Sequence, residues 1–142
     1  MKPLDLTQRP PRSPRERLGE IAFLPRTIDK MRAALPGGNQ GAYNDGHVGA
    51  SAVMLGILGI APDDLHAVVA AAATEEEVTA WVLERTSAEK ITEANRVILT
   101  RTIQDFPPEQ RARIEAVYPA FKDRPETLVV DLLEADDRAA FA

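Results

Sequence analysis

Tyr43-Asn44-Asp45-Gly46-His47 places a phenol, an amide, a carboxylate and an imidazole within five consecutive positions. An imidazole beside a carboxylate is the usual material of a general base, because histidine changes charge near neutral pH. The phenol adds a group able to give or take a proton, or a ring to stack on a ligand. His47 and Tyr43 are therefore the candidate proton-transfer residues, with Asn44 positioning a substrate. Upstream, Arg26 and Lys30 stand one helical turn apart, a cationic pair able to grip a carboxylate or phosphate. Asn95 lies within the apolar stripe of a later helix and needs a hydrogen-bond partner there. It is expected to hold loop backbone, with a ligand contact as the other use of its amide.

Each of these residues also has a purely structural reading. Asn44, Asp45 and Gly46 are the ingredients of a tight turn. Arg26, Asp29 and Lys30 share the helix face opposite Leu24, Ile28, Met31 and Leu35, where a solvated face with weak Arg26–Asp29 and Asp29–Arg32 pairs is common. Around His47 the run Gly46-His47-Val48-Gly49-Ala50-Ser51 lacks the preceding strand, the lysine and the spacing of a hydrolase elbow or a phosphate-binding loop. With no cysteine, disulfides and thiolate metal sites are excluded, and with two histidines no structural zinc site, other metal or cofactor is expected. His66, Trp81 and Glu75-Glu76-Glu77 fit an apolar edge, a core position and a helix start.

The elements that must hold these residues read as helical almost throughout. Residues 1–12 form an extended arm fixed by prolines. Ser13-Pro14-Arg15-Glu16 has the form of a capping box and predicts a helix from Pro14, with Leu18, Ile21 and Ala22 inward. Pro25 opens a second helix with a Leu24, Ile28, Met31, Leu35 stripe, ended by Pro36-Gly37-Gly38. Seven of the eight glycines fall between Pro36 and Gly59, so a glycine-rich loop is expected between helices 2 and 3. Asn95 is expected to anchor that loop. Ala50 to Leu58 is apolar nearly all round, with Gly59 as its stop. Helices then follow from Pro62, from the Thr74 capping box, and from Ser87 through about Ile103. After Asp105-Phe106-Pro107-Pro108-Glu109 another is predicted, with Ile114, Val117 and Tyr118 inward and Pro119 as its end. A last one runs from Asp123-Arg124-Pro125-Glu126 through Leu133, where Thr127 to Leu133 suits a strand equally. The expectation is an all-α, compact single-domain bundle of seven or eight short helices over residues 1–142.

Charge is distributed unevenly. Residues 1–35 carry eight Lys/Arg against four Asp/Glu, and residues 36–142 carry nine against eighteen, giving the net −5. An overall acidic chain argues against nucleic acid. The basic start is expected to pack against the chain's own acidic remainder, or else to contact a partner. The most apolar run, Ala52 to Ile60, is too short to span a bilayer, and no apolar run near the start resembles a signal sequence. A cytoplasmic location without membrane contact is expected.

Asp5-Leu6-Thr7, Pro11-Arg12-Ser13-Pro14-Arg15, Leu18-Gly19, Leu24-Pro25-Arg26-Thr27-Ile28-Asp29-Lys30-Met31-Arg32-Ala33, Leu58-Gly59-Ile60 and Thr74-Glu75-Glu76-Glu77-Val78 with Trp81 together resemble an uncharacterised bacterial domain family known only as a domain of unknown function. The likeness covers most of the chain, and residues 26–33 are its most specific part. It implies a self-contained helical domain and brings no activity, cofactor or catalytic residue. Two functions follow from the residues themselves. One is a small-molecule-binding pocket for an anionic or polar ligand, extending to a cofactor-independent enzyme, between the second helix, the glycine-rich loop and the helix of Asn95. The other is a non-catalytic interaction or regulatory domain that uses the basic N-terminal segment.

Overall fold

Proline opens three of the seven α-helices, since its fixed φ and missing N–H suit only a first turn. In the computed structural model, which describes residues 1–142, the chain runs as follows. A short hairpin, β1 (Arg17–Leu18) and β2 (Ile21–Ala22), precedes α1 (Leu24–Ala33) and α2 (Gly49–Leu58). Then come α3 (Pro62–Ala71), α4 (Glu75–Glu84), α5 (Ala88–Thr100), α6 (Pro108–Val117) and α7 (Val129–Ala140). The result is a compact helical domain. No single helix is long and apolar enough to cross a membrane.

The helix expected from Pro14 is replaced by the antiparallel hairpin, which pairs Arg17 with Ala22 and Leu18 with Ile21. Its two turn residues, Gly19 and Glu20, both have positive φ (55° and 69°). Such a pair closes a two-residue hairpin and cannot continue a helix. Ser13 caps no helix; its hydroxyl accepts from the Arg15 amide at 3.1 Å and donates to Glu134 at 2.9 Å. The segment of glycines therefore joins the first and second helices rather than the second and third. Thr74 and Ser87 do cap α4 and α5, accepting from the amides of Glu77 and Lys90.

The core joins Ile28 and Met31 of α1, Met54 and Leu58 of α2, Leu65 and Val69 of α3, Val78 and Val82 of α4 and Ile98 of α5. α2 packs on α5, which also meets β2 and α7, while α1 and α4 both pack on α3. The C-terminal third departs from expectation in three ways. α5 ends at Thr100, and Thr102 instead heads a short 3-10 turn over Ile103–Asp105, its amide bound to the Asp105 carboxylate at 2.8 Å. α6 contributes no buried residue, and Val117 is exposed because only one side of this short helix meets the body. The final segment is both strand-like and helical. Thr127 and Leu128 pair with the chain around Thr102, through Ile103 N to Thr127 O at 3.0 Å and Val129 N to Arg101 O at 2.9 Å, before α7 begins at Val129.

Candidate functional site

Helix α1 is the central observation, for nine of its ten residues are buried. An amphipathic helix exposes its charged face, but here the arm and α7 cover that face. Burial of a charge is costly unless it is paired, and two of the three buried charges on α1 are paired. Asp29 accepts from Arg12 through its backbone amide (2.8 Å) and its guanidinium (3.0 Å). Arg12 also pairs with Glu75 at the start of α4. Arg26, 1 % exposed, donates in a two-pronged pair to Asp137 of α7 at 2.7 and 3.2 Å. Tyr43 donates its hydroxyl to the same Asp137 at 2.8 Å.

Lys30 is the third charge, 6 % exposed, and makes no hydrogen bond or ion pair within the protein. Its ammonium lies 5.6 Å from the centre of the Phe23 ring, a cation–π distance. Burial, and then repulsion from Arg26, lower its pKa to about 8 despite the opposing pull of Asp137. Phe23 itself has φ 73° at the entry to α1. A non-glycine residue in that region costs on the order of 1 kcal/mol or more, and such strain gathers at functional sites. The strained backbone sets the ring beneath two cations, Arg26 and Lys30.

Beyond Lys30 opens a cavity of about 490 Å³. Most of its fifteen lining residues are hydrophobic, among them Phe23, Val53, Ile98 and Leu133. The polar lining is Lys30, Asn44, Arg101, Gln110 and Tyr118, and no Asp or Glu lines it. Arg101 is held there by the Val129 hydrogen bond described above, with its guanidinium 4.2 Å from the centre of the Phe106 ring. Burial, followed by the nearby Asp136, raises the pKa of the Tyr118 phenol. The cavity thus lies between α1, the chain from Asn44 into α2, the end of α5, and α6 with α7. Its volume falls within the range of roughly 300–1,000 Å³ typical of small-molecule sites.

The candidate residues from the sequence do not form one constellation. Lys30 and Asn44 line the cavity. Arg26 and Tyr43 meet each other through Asp137, with the guanidinium 5.6 Å from the Tyr43 ring centre; the Tyr43 hydroxyl and the two terminal nitrogens of Arg26 are engaged within the protein, while Arg26 Nε is buried without a partner. Arg26 pairs with Asp137 and not with Asp29, because the buried α7 carboxylate offers two oxygens in the plane of the guanidinium. Burial and the hydrogen bond to Asp137 push the Tyr43 phenol well above its ordinary pKa, so it holds its proton.

His47 faces α3 and does not line the cavity. Its Nε2 is 3.2 Å from Asp63, its Nδ1 is 3.2 Å from Asp45, and its ring centre is 5.1 Å from that of His66. Asn44 and Asp45 each accept from the amide two residues on, at 2.9 and 3.0 Å, so this segment contains two consecutive Asx turns. Gly46, φ 83°, lies against α1, where an added Cβ would sit 3.2 Å from the Thr27 carbonyl oxygen. Asn95 holds backbone, but of a different loop from the one expected. It accepts from Ala22 N at 2.9 Å and donates to Glu20 O at 2.8 Å, closing the hairpin. Asp137, Arg101 and Gln110 were not singled out from the sequence, and Tyr118 was read there only as an inward helix residue, since nothing in the sequence brings these distant positions together.

The basic N-terminal segment is drawn into the molecule. Besides Arg12, Arg15 pairs with Asp131 at 2.6 Å and Glu134 at 2.7 Å on α7, and Leu6 is 1 % exposed. No curated protein matches the sequence. A family model does match residues 8–139, taking in the end of the arm, the hairpin, α1 to α6, α7 but for its last residue, and every residue that lines the cavity. The chain belongs to the family described as a domain of unknown function, DUF5069.

Proposed function

We propose that this protein binds a small amphipathic anion in the cavity beside α1, with Lys30 as the charge that receives it. The observation that carries this reading is a largely buried lysine whose ammonium has no hydrogen-bond or ion-pair partner in the protein and opens on a cavity lined by two cations and no carboxylate. A chain of net charge −5 has no general excess of cations to place there. The apolar walls favour a ligand with an aliphatic or aromatic body, and Lys30 and Arg101 favour a carboxylate or similar anionic group on it. Asn44, Gln110 and Tyr118 supply hydrogen-bonding groups that fix its orientation. Arg26, Asp137 and Tyr43 act one layer behind, tying α1, α7 and the chain before α2 into a rigid wall. Proton transfer by His47 and Tyr43 has no support from their positions, one facing α3 and the other bound to Asp137.

For the interaction-domain alternative, the intramolecular pairs of Arg12 and Arg15 leave Lys2, Arg9 and Arg17 as the exposed cations of the basic segment. Thermal denaturation with 3-phenylpropanoate tests the pocket reading, because a ligand of the folded state alone raises stability by mass action. The melting temperature is expected to rise with 3-phenylpropanoate and to rise much less with acetate or 3-phenylpropanol, which lack the body or the charge. Lys30→Met should weaken the effect at least about tenfold in concentration, the loss of one charge-assisted contact. Equal effects of the three compounds, or of parent and variant, would refute it.

A further inference from the structure

We propose that Lys30 forms a reversible imine with an aldehyde or ketone whose apolar body fills the cavity beside α1. The inference rests on the cavity reading above and names the reacting group on the ligand. An amine nucleophile needs a free lone pair, access to its substrate and freedom from competing carboxylates. Lys30 meets the last two by geometry: it lines the cavity and has no ion-pair partner. The first follows from burial beside Arg26. With its pKa lowered to about 8, roughly 200-fold more of Lys30 is neutral near pH 7.5 than of an ordinary lysine. Desolvation next to another cation is a recognised route to a nucleophilic lysine.

The step balances without any oxidant or reductant. The Lys30 nitrogen lone pair attacks the carbonyl carbon, and the C=O π electrons move to oxygen. One proton from nitrogen passes to that oxygen, giving a carbinolamine. The C–O bond then breaks, the second nitrogen proton leaves with the oxygen as water, and the C=N bond forms. Arg101 lines the same cavity and supplies hydrogen bonds to the oxygen as charge develops on it. The Phe23 ring beneath the nitrogen and the apolar walls limit the water available to reverse the reaction.

The protein has four lysines, Lys2, Lys30, Lys90 and Lys122, beside the α-amine of Met1, whose adduct lies on a separate peptide, so selectivity among the lysines is directly readable. The experiment incubates the folded protein with 3-phenylpropanal and cyanoborohydride near pH 7.5, then locates adducts by peptide mass spectrometry. One adduct per chain is expected at Lys30, with a mass gain of one aldehyde less one oxygen, formed at least about tenfold faster than at the other three lysines. Lys30→Met, which removes the amine, should lose that adduct while the labelling rates of the other three lysines stay unchanged. Adducts spread evenly over the four lysines, with the carboxylate still stabilising the parent, would overturn the imine and leave the anion pocket standing. Even labelling with no stabilisation by the carboxylate would overturn both. A selective Lys30 adduct without carboxylate stabilisation would keep the imine and remove the anion reading.

Discussion

Replacing Lys30 by Met should make the protein more stable near neutral pH, the reverse of the usual outcome for a buried residue. Lys30 is 6 % exposed, lies beside Arg26, and has its pKa lowered from 10.5 to about 8. At about 1.4 kcal/mol per tenfold change in proton affinity, holding the charged form in the folded state costs on the order of 3 kcal/mol. Below pH 8 the lysine is protonated in both folded and unfolded chains, and this cost is fully present. Between pH 8 and 10.5 the unfolded chain binds the extra proton, so parental stability rises with pH through that window. Met has a similar unbranched stem and no charge, and it fills the same space. The variant should therefore exceed the parent by about 1–3 kcal/mol near pH 7, with the gap closing by about pH 10.5. Urea denaturation of both proteins at the two pH values measures this, provided the m-value is unchanged. A variant less stable than the parent near pH 7, or a gap independent of pH, would refute the claim that Lys30 is an uncompensated buried charge. A stability cost retained at a cavity wall is what a ligand-receiving residue imposes.

Three further outcomes follow from the same contacts. Asp137→Ala leaves Arg26 buried without its carboxylate and should cost about 3–5 kcal/mol in chemical denaturation; a loss near zero would show that the Arg26 pair is not buried in solution. Asn95→Leu removes both hydrogen bonds to the hairpin and should cost about 1–3 kcal/mol. Hydrogen exchange should then rise in residues 17–22 and stay unchanged in residues 37–49; the opposite pattern would return Asn95 to the segment before α2. Thr74→Ala should lower stability by about 0.5–2 kcal/mol through loss of the α4 cap, and an unmoved midpoint would show that the cap contributes nothing.

What the sequence determined by itself is local. Pro25, Pro62 and Pro108 mark helix starts, Thr74 and Ser87 cap the helices that follow them, and Gly59 ends α2 at φ 80°. Proline geometry, side-chain caps and left-handed glycines act within a few residues, so the helical class was legible from them. The hairpin at Gly19-Glu20 was harder to see, because Ser13-Pro14-Arg15-Glu16 carries a helix-start signal, whereas the chain turns back at two positive-φ residues and Ser13 bonds Glu134, 121 residues away. The chemistry of α1 was decided by tertiary structure alone. A helix reads as amphipathic when its charged face meets water, and only the arrival of the arm and α7 turns that face into an interior. Arg12 then neutralises Asp29 and Asp137 neutralises Arg26. Lys30 is left with a buried charge beside an open cavity, a condition that depends on the distance to groups far along the chain and is written in no local pattern.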